Sequence, residues 1–183
     1  MVLTAERWRS MVDLDPETGI FTWKRRPVTS KATTAWNNQW AGKRVRVSVY
    51  ADPQTPGRKC KLIKITGRSY SVPRLVWLHV NGRWPIEEVD HKDGDWSNDS
   101  ASNLRECTHS QNQMNKGPMR NNKLGIKGVG YREERLGRKK FYAQIKIPGT
   151  KITKHLGWHA TAEEAAHAYR EVARQLHGEF FRA

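Results

Sequence analysis

Cysteine is scarce in this chain. Its 183 residues include two, Cys60 and Cys107, far apart and without C-x-x-C spacing, which rules out a cysteine zinc site and argues against a disulfide framework. Both are expected to be free, partly buried thiols. Long apolar runs are lacking too. Nothing approaches the roughly 18 residues that would cross a bilayer, and the N-terminal stretch lacks the basic, apolar, small-residue order of a signal peptide. A soluble, non-secreted protein is expected. Neither an internal repeat nor a low-complexity tract is present. Acidic residues are outnumbered, 18 Asp and Glu against 33 Lys and Arg, which leaves a formal charge of +15. Solubility of a small domain needs a magnitude of only about 2 to 8, so the surplus points to a polyanionic partner, nucleic acid above all.

What is present suffices for cores: 37% of residues are apolar and eight are Trp. The length fits one medium domain or two to three small ones, and several small cores are expected. Charge divides the chain. Residues 1–70 carry +9, residues 71–116 carry −2 and residues 117–183 carry +8. Two basic arms thus flank an acidic centre, as expected if the arms hold a phosphate backbone while the centre holds a cation against it.

The first arm reads as a small basic sheet. Residues 5–11 form a short helix capped by Thr4, a turn follows at 15–19, and residues 20–24 make a strand. Val45, Val47 and Val49, alternating with Arg44 and Arg46, predict a second strand with one apolar and one cationic face, and residues 61–70 continue as a hairpin. The Thr, Lys and Asn-rich stretch 27–39 reads as a loop, its Trp36 and Trp40 anchored to the sheet.

In the centre, residues 74–80 predict an apolar helix after Pro73 that Gly82 ends. A strand at 89–91, a loop containing Asp93, Gly94, Asp95, Asn98 and Asp99, a strand at 103–107 and a helix starting at Thr108 or Ser110 follow. Phosphodiester cleavage needs a group that deprotonates water and a charge that neutralises the leaving oxygen. A neutral imidazole beside a carboxylate-bound divalent cation supplies both. Asp90 is a hard oxygen ligand for magnesium or manganese, Asn112 offers a carbonyl oxygen for the same ion, and His91 can accept the proton. Adjacent strand residues point to opposite faces, so Asp90 and His91 can share a site only at a strand end or bulge. His79 reads as a satisfied helix residue, His109 as lying near phosphate at a helix start, and Trp84 and Trp96 as packing residues.

Asp90-His91, Asn103-Leu104 twelve positions after the histidine and Asn112 nine further on give residues 74–115 a resemblance to the HNH nuclease family, in its phage and intron homing-endonuclease branch. The resemblance implies a ββα-metal fold in which Asp90 and Asn112 bind one divalent cation, Mg2+ or Mn2+. His91 would be the general base, and Asn103 would support it by pinning the loop through side-chain hydrogen bonds. Asn112 stands where the last histidine of the name often stands. One carboxylate and one neutral ligand imply weak metal affinity until substrate phosphate completes the shell.

Beyond a linker at 117–124, residues 128–132, 141–147 and 153–158 predict three strands, and the Thr161 to Glu164 capping box starts a helix with a flat small-residue face. The sheet's other face is expected to carry Arg132, Lys146, Lys154 and Lys140. Gly128-Val129, Phe141 through Lys146, Leu156-Gly157, Thr161 through Ala166 and Ala168-Tyr169 make residues 125–181 similar to the plant ethylene-response-factor (AP-two) DNA-binding domain. Gly130 and His155 depart from that pattern, standing where it has arginine and tryptophan. The resemblance implies a three-stranded sheet laid into the major groove.

The expectation is therefore a modular α+β protein: a basic β-rich DNA-binding module (1–70), an HNH nuclease (71–116), a linker (117–124) and an AP-two-like domain (125–183). It would bind double-stranded DNA through Arg44, Arg46, Arg132, Lys140, Lys146 and Lys154 and act as a monomer. No membrane or obligate protein partner is implied. It would nick one strand at a long site in the cytoplasm of a bacterial host, as a phage-encoded enzyme. A DNA-binding regulator with an inactive nuclease centre is the alternative, and within the enzyme reading a restriction-like or packaging nuclease is the second choice.

Overall fold

The computed structural model describes residues 2–51, 59–119, 121–133, 136–137 and 140–181, and the chain divides into two compact units, 1–107 and 108–183. The mixed α+β class expected from the sequence holds, with helices and four small antiparallel sheets among the described residues.

In the first unit, α1 (Ala5–Met11) begins where the Thr4 hydroxyl accepts the Arg7 N–H at 3.3 Å, and it runs straight into β1 (Val12–Asp15). β1 pairs with β2 (Ile20–Trp23) from Val12 opposite Trp23 to Asp15 opposite Ile20. Asp15 holds the turn by accepting the Glu17 N–H at 3.0 Å and the Thr18 hydroxyl at 2.7 Å.

Residues 27–39 are not a loop throughout: α2 spans Lys31–Trp40. Thr and Asn are poor helix formers, but Ser30 and Thr33 form a reciprocal capping box, which satisfies helix N–H groups that would otherwise be orphaned. Asn37, buried, then clamps the helix by accepting the Arg26 N–H and donating to the Arg26 carbonyl, both at 2.8 Å. Trp36 meets Trp23 edge-on at 5.7 Å and lies under the Arg26 guanidinium at 3.5 Å. Trp36 is thus an anchor, whereas Trp40 is exposed.

The valine alternation at 45–49 also needs correction. Arg44 makes a single bridge to Thr22, and the Val45 N–H donates to Phe21. β3 begins only at Ser48 (Ser48–Ala51) and pairs instead with β4 (Lys59–Ile65). The segment changes sheets partway, so one period-2 pattern cannot describe it. Val45 is buried, but Val47 and Val49 are exposed.

β4 pairs with β5 (Arg68–Ser71), and α3 (Val72–Asn81) follows, with Pro73 in its first turn and Gly82 closing it at φ +73°. β6 (Glu88–His91) and β7 (Leu104–Cys107) form the last hairpin, with a 3-10 turn at Ala101–Asn103 before β7. Among the described residues one core joins α1, β1, β2, β4, β5, α3, β6 and β7, from Leu3, Trp8 and Phe21 through Ile63, Leu75 and Leu78 to Leu104. Trp8 is wholly buried, its ring edge-on to Phe21 at 4.9 Å. The basic arm and the central hairpin are therefore parts of one packed body.

The second unit starts with α4 (His109–Asn115), capped by Thr108, which accepts the Gln111 N–H. β8 (Val129–Tyr131), β9 (Phe141–Lys146) and β10 (Thr153–His159) form a sheet in the order β10-β9-β8, and α5 (Ala162–His177) packs on it. Thr161 caps α5, and Glu164 reaches back to the Ala160 N–H rather than to that of Thr161. Ala143, Ile145, Ala165, Ala166, Tyr169 and Ala173 make the core, the alanines allowing helix and sheet to lie close. On the opposite face the Tyr142 ring lies across Gly130, where a Cβ would come within 2.2 Å of it. An arginine at position 130 would collide with that ring.

One ion pair ties down the start of the central hairpin. Arg83 donates to both Glu106 oxygens, at 3.0 and 2.6 Å, and the Ile86 N–H donates to the same carboxylate. Arg83 first, then the Ile86 N–H, hold the Glu106 carboxyl down at about 2. A group whose folded pKa is depressed stabilises above its unfolded value and loses that contribution as pH falls through the folded value. Thermal unfolding of wild type and Glu106→Gln should therefore differ most above pH about 4.5 and converge as pH approaches about 2. A difference constant across that window would contradict the pairing.

Candidate active site

Strand register decides which central side chains can meet. In the β6–β7 hairpin Val89 lies opposite Glu106, Asp90 opposite Arg105 and His91 opposite Leu104. Directly paired residues share a face and neighbours alternate, so His91 shares its face with Leu104 and Val89, which pack into the first unit's core. Asp90 and Arg105 occupy the other face with Glu88 and Cys107. His91 is the last residue of β6, and in this unbroken register its side chain and that of Asp90 point to opposite faces.

The loop after His91 is tied internally. Asn103 accepts the Asp93 N–H at 3.1 Å through its side-chain oxygen, donates to the Asp93 carboxylate at 3.0 Å and to the Asn98 carbonyl at 2.8 Å. Its backbone carbonyl accepts the Lys92 N–H at 2.9 Å. The Asn98 amide donates to Asp93 at 2.7 Å, and Asp95 accepts both the N–H and the hydroxyl of Ser97. Burial alone would raise the Asp93 pKa, but the Asp95 N–H and the Asn103 and Asn98 amides together hold it below the usual carboxylate value. Ser97 does the same for Asp95.

The loop ends at Asp99, 2% exposed. One of its carboxylate oxygens lies 2.9 Å from His91 Nε2, and the other accepts from the Lys61 ammonium at 2.7 Å. Lys61, on β4, also donates to the Ser97 carbonyl at 2.6 Å. The β1–β2 turn supports the same point from behind. Its Pro16 carbonyl accepts the Ala101 N–H at 2.8 Å, and Gly19, at φ +69°, sits so close that a Cβ there would come within 2.3 Å of the Asp99 carbonyl oxygen. Glycine is required at that position both by conformation and by space.

Asp90 is buried and accepts through one carboxylate oxygen from Arg105, from Nε at 3.1 Å and Nη2 at 2.9 Å. Asn112 lies half-buried on α4, in the second compact unit. Among the described residues, no three His, Cys, Asp or Glu side chains gather as a metal cluster. The donors that the sequence offers are instead one carboxylate and one carboxamide. Such a hard-oxygen pair fits a divalent ion that retains waters and takes substrate oxygens as its remaining ligands.

Other titratable groups are set apart. His79 is held neutral, first by burial and then by Arg9 and Lys24, in contact with Phe21. His109 is exposed near Gln113. Burial, then Asp90 and Glu88, push the Cys107 thiol up to about 12, so it stays protonated. Trp84 packs against Tyr70 and donates to the Leu3 carbonyl, and Trp96 lies near Lys59 and Lys61.

Of the cationic candidates, Arg44, Arg46, Arg132, Lys146 and Lys154 are exposed and Lys140 is half-buried, donating to the Glu133 carbonyl. Arg132 lines a shallow hollow of the sheet's open face with Tyr142, Gln144, His155 and Trp158. Lys154 is not on that face: the register sets it opposite the core residue Ile145, on the side that α5 covers. β10 is irregular between His155 and Trp158, which returns Trp158 to the open face beside Tyr142.

Sequence reasoning missed Asp99, Lys61 and Arg105 as neighbours of the motif. Asp99 is one of several acidic loop residues, and Lys61 is distant in sequence. The one available signal was the position of Arg105 in the second strand, where a hairpin register brings it opposite Asp90.

Hairpin, pinned loop and following helix define a class, and residues 70–114 match the family model for HNH endonuclease. Protein 3.8 of Escherichia phage T7 is 33% identical over 120 residues, which cover 62% of this chain and 92% of that protein, and the chain belongs to the same family as that phage protein. No solved structure matches. HNH nucleases generally use a divalent metal and act on DNA, and no described helix is long and apolar enough to cross a membrane.

Removing Asp90 would strand a buried guanidinium. Asp90→Ala should therefore cost about 3 kcal/mol or more and lower the midpoint of thermal unfolding by on the order of 10 °C. An unchanged midpoint would show that the pair is not buried.

Proposed function

We propose that this protein is a metal-dependent DNA endonuclease of the homing type, hydrolysing one phosphodiester of duplex DNA at a long recognition site. The observation that carries the proposal is His91 held by a buried carboxylate at the end of the first HNH strand, next to Asp90. His91 takes the proton of the attacking water. Asp90 and Asn112 hold Mg2+ or Mn2+, which, when bound, neutralises charge developing on the leaving 3′ oxygen. Asn103 keeps the intervening loop in shape. Arg105 confines the Asp90 carboxylate until substrate and ion arrive.

Residues 1–70 serve as a basic module with Arg44 and Arg46 toward the phosphate backbone, residues 71–116 as the nuclease, and residues 125–183 as an AP-two-like DNA-binding domain after the 117–124 linker. The open sheet face with Arg132 and Lys146 supports that last assignment, with Lys140 reaching phosphate from its margin. The departures at Gly130 and His155 argue for base preferences unlike those of the plant domains. The enzyme works as a monomer in the host cell of a phage. Since one centre cleaves one strand, it nicks.

The Asp90–Arg105 pair supports a second reading, a DNA-binding regulator whose centre never admits the ion. A time course on supercoiled plasmid with magnesium separates the two. The nuclease should give nicked circles first, lose that activity on chelation, and lose about a hundredfold or more with His91→Ala at unchanged DNA affinity. Binding without any cleavage would establish the regulator, and linear product with no nicked precursor would rule out the monomeric nickase.

A further inference from the structure

We propose that Asp99, held in place by Lys61, is the positioning residue that selects which nitrogen of His91 acts as the base. This rests on the nuclease reading above and adds to it the identity of the working nitrogen. Imidazole in its neutral form carries one proton, on either Nδ1 or Nε2, and only the other nitrogen can receive a proton from water. A carboxylate that already accepts from a lysine ammonium offers the imidazole acceptor sites only. The 2.9 Å approach of Asp99 to Nε2 is therefore a bond donated by Nε2–H, and the basic lone pair lies on Nδ1.

Asp99 can impose this choice because it cannot move. Its carboxylate is 3% exposed and Lys61 holds the far oxygen at 2.7 Å. Lys61 is itself fixed by the Ser97 carbonyl. The backbone of Asp99 is backed by Gly19, and the next turn of chain is tied to Pro16. Each support comes from the basic arm, so residues distant in sequence from the motif set the protonation geometry of its histidine. A loosely held carboxylate could follow the ring into either tautomer; one anchored from three sides allows one.

Asp99→Asn tests this at almost constant shape. Lys61 has donors only, so the amide oxygen must face it and the amide NH2 must face His91 Nε2. That Nε2 then has to accept, which transfers the ring proton to Nδ1. Plasmid nicking by the full chain should fall about a hundredfold or more in kcat, with KM for DNA and the unfolding midpoint close to wild type. In parallel, nitrogen NMR of histidine-labelled chain at pH about 8, above the ordinary imidazole range, with His91→Gln to assign the signal, should show protonated Nε2 in the wild type and protonated Nδ1 in the variant. The wild-type spectrum needs no variant to fold as wild type does: a proton on Nδ1 there overturns the proposal. So does an Asp99→Asn enzyme that nicks at the wild-type rate while His91→Ala is inactive. If wild type and His91→Ala are alike in failing to cleave, the nuclease reading itself has failed, while the ring-nitrogen spectrum still decides the tautomer.

Discussion

A carboxylate removed from water costs several kcal/mol unless it is paired, and the first compact unit is organised around meeting that cost at Asp99. Two partners do so from opposite directions, the His91 ring and the Lys61 ammonium. Lys61 reaches the loop because β4 is registered against β3 and β5 on either side, and the loop reaches Lys61 because Asn103 and Asp93 fold it back on itself. Displacing any of these strands would leave the carboxylate buried and underpartnered. The basic arm is thus a structural half of the nuclease hairpin's body, whatever its surface does toward DNA.

The same logic runs through the other charged groups. Asp90 is buried only with Arg105 on its carboxylate, and Glu106 is held by Arg83 and a backbone N–H. Asp90, Asp99 and Glu106 are therefore each paired with a cation, and for Asp99 that cation, Lys61, comes from outside residues 71–116. In the proposed nuclease this keeps the centre from repelling the phosphate it must approach, while the exposed surplus stays on the arms.

Local patterns carried most of the fold. Thr4, Thr108 and Thr161 caps, the Gly82 stop, the Asp15 turn and the β6–β7 hairpin are all written within a few residues, because capping and turn chemistry act at short range. Failures came where a distant partner decides. α2 depends on Asn37 clamping Arg26 and on Trp36 meeting Trp23, neither of which composition reveals. The valine alternation misleads because the chain changes sheets within it, and the face of Lys154 is set by a partner across the sheet, Ile145. At the site, the loop-pinning bonds of Asn103 are legible through its spacing from His91. Asp99 and Lys61 are not, since only the folded sheet sets β4 beside the loop.

The chemistry of the nick tests the central claim most directly. Water activated at His91 and attacking a phosphate whose 3′ oxygen departs must leave a 5′-phosphate beside a 3′-hydroxyl. Nicked plasmid produced by the purified chain with magnesium should then be resealed by DNA ligase without any prior end treatment. Nicks that ligase cannot close until a 3′-phosphate is removed would contradict it.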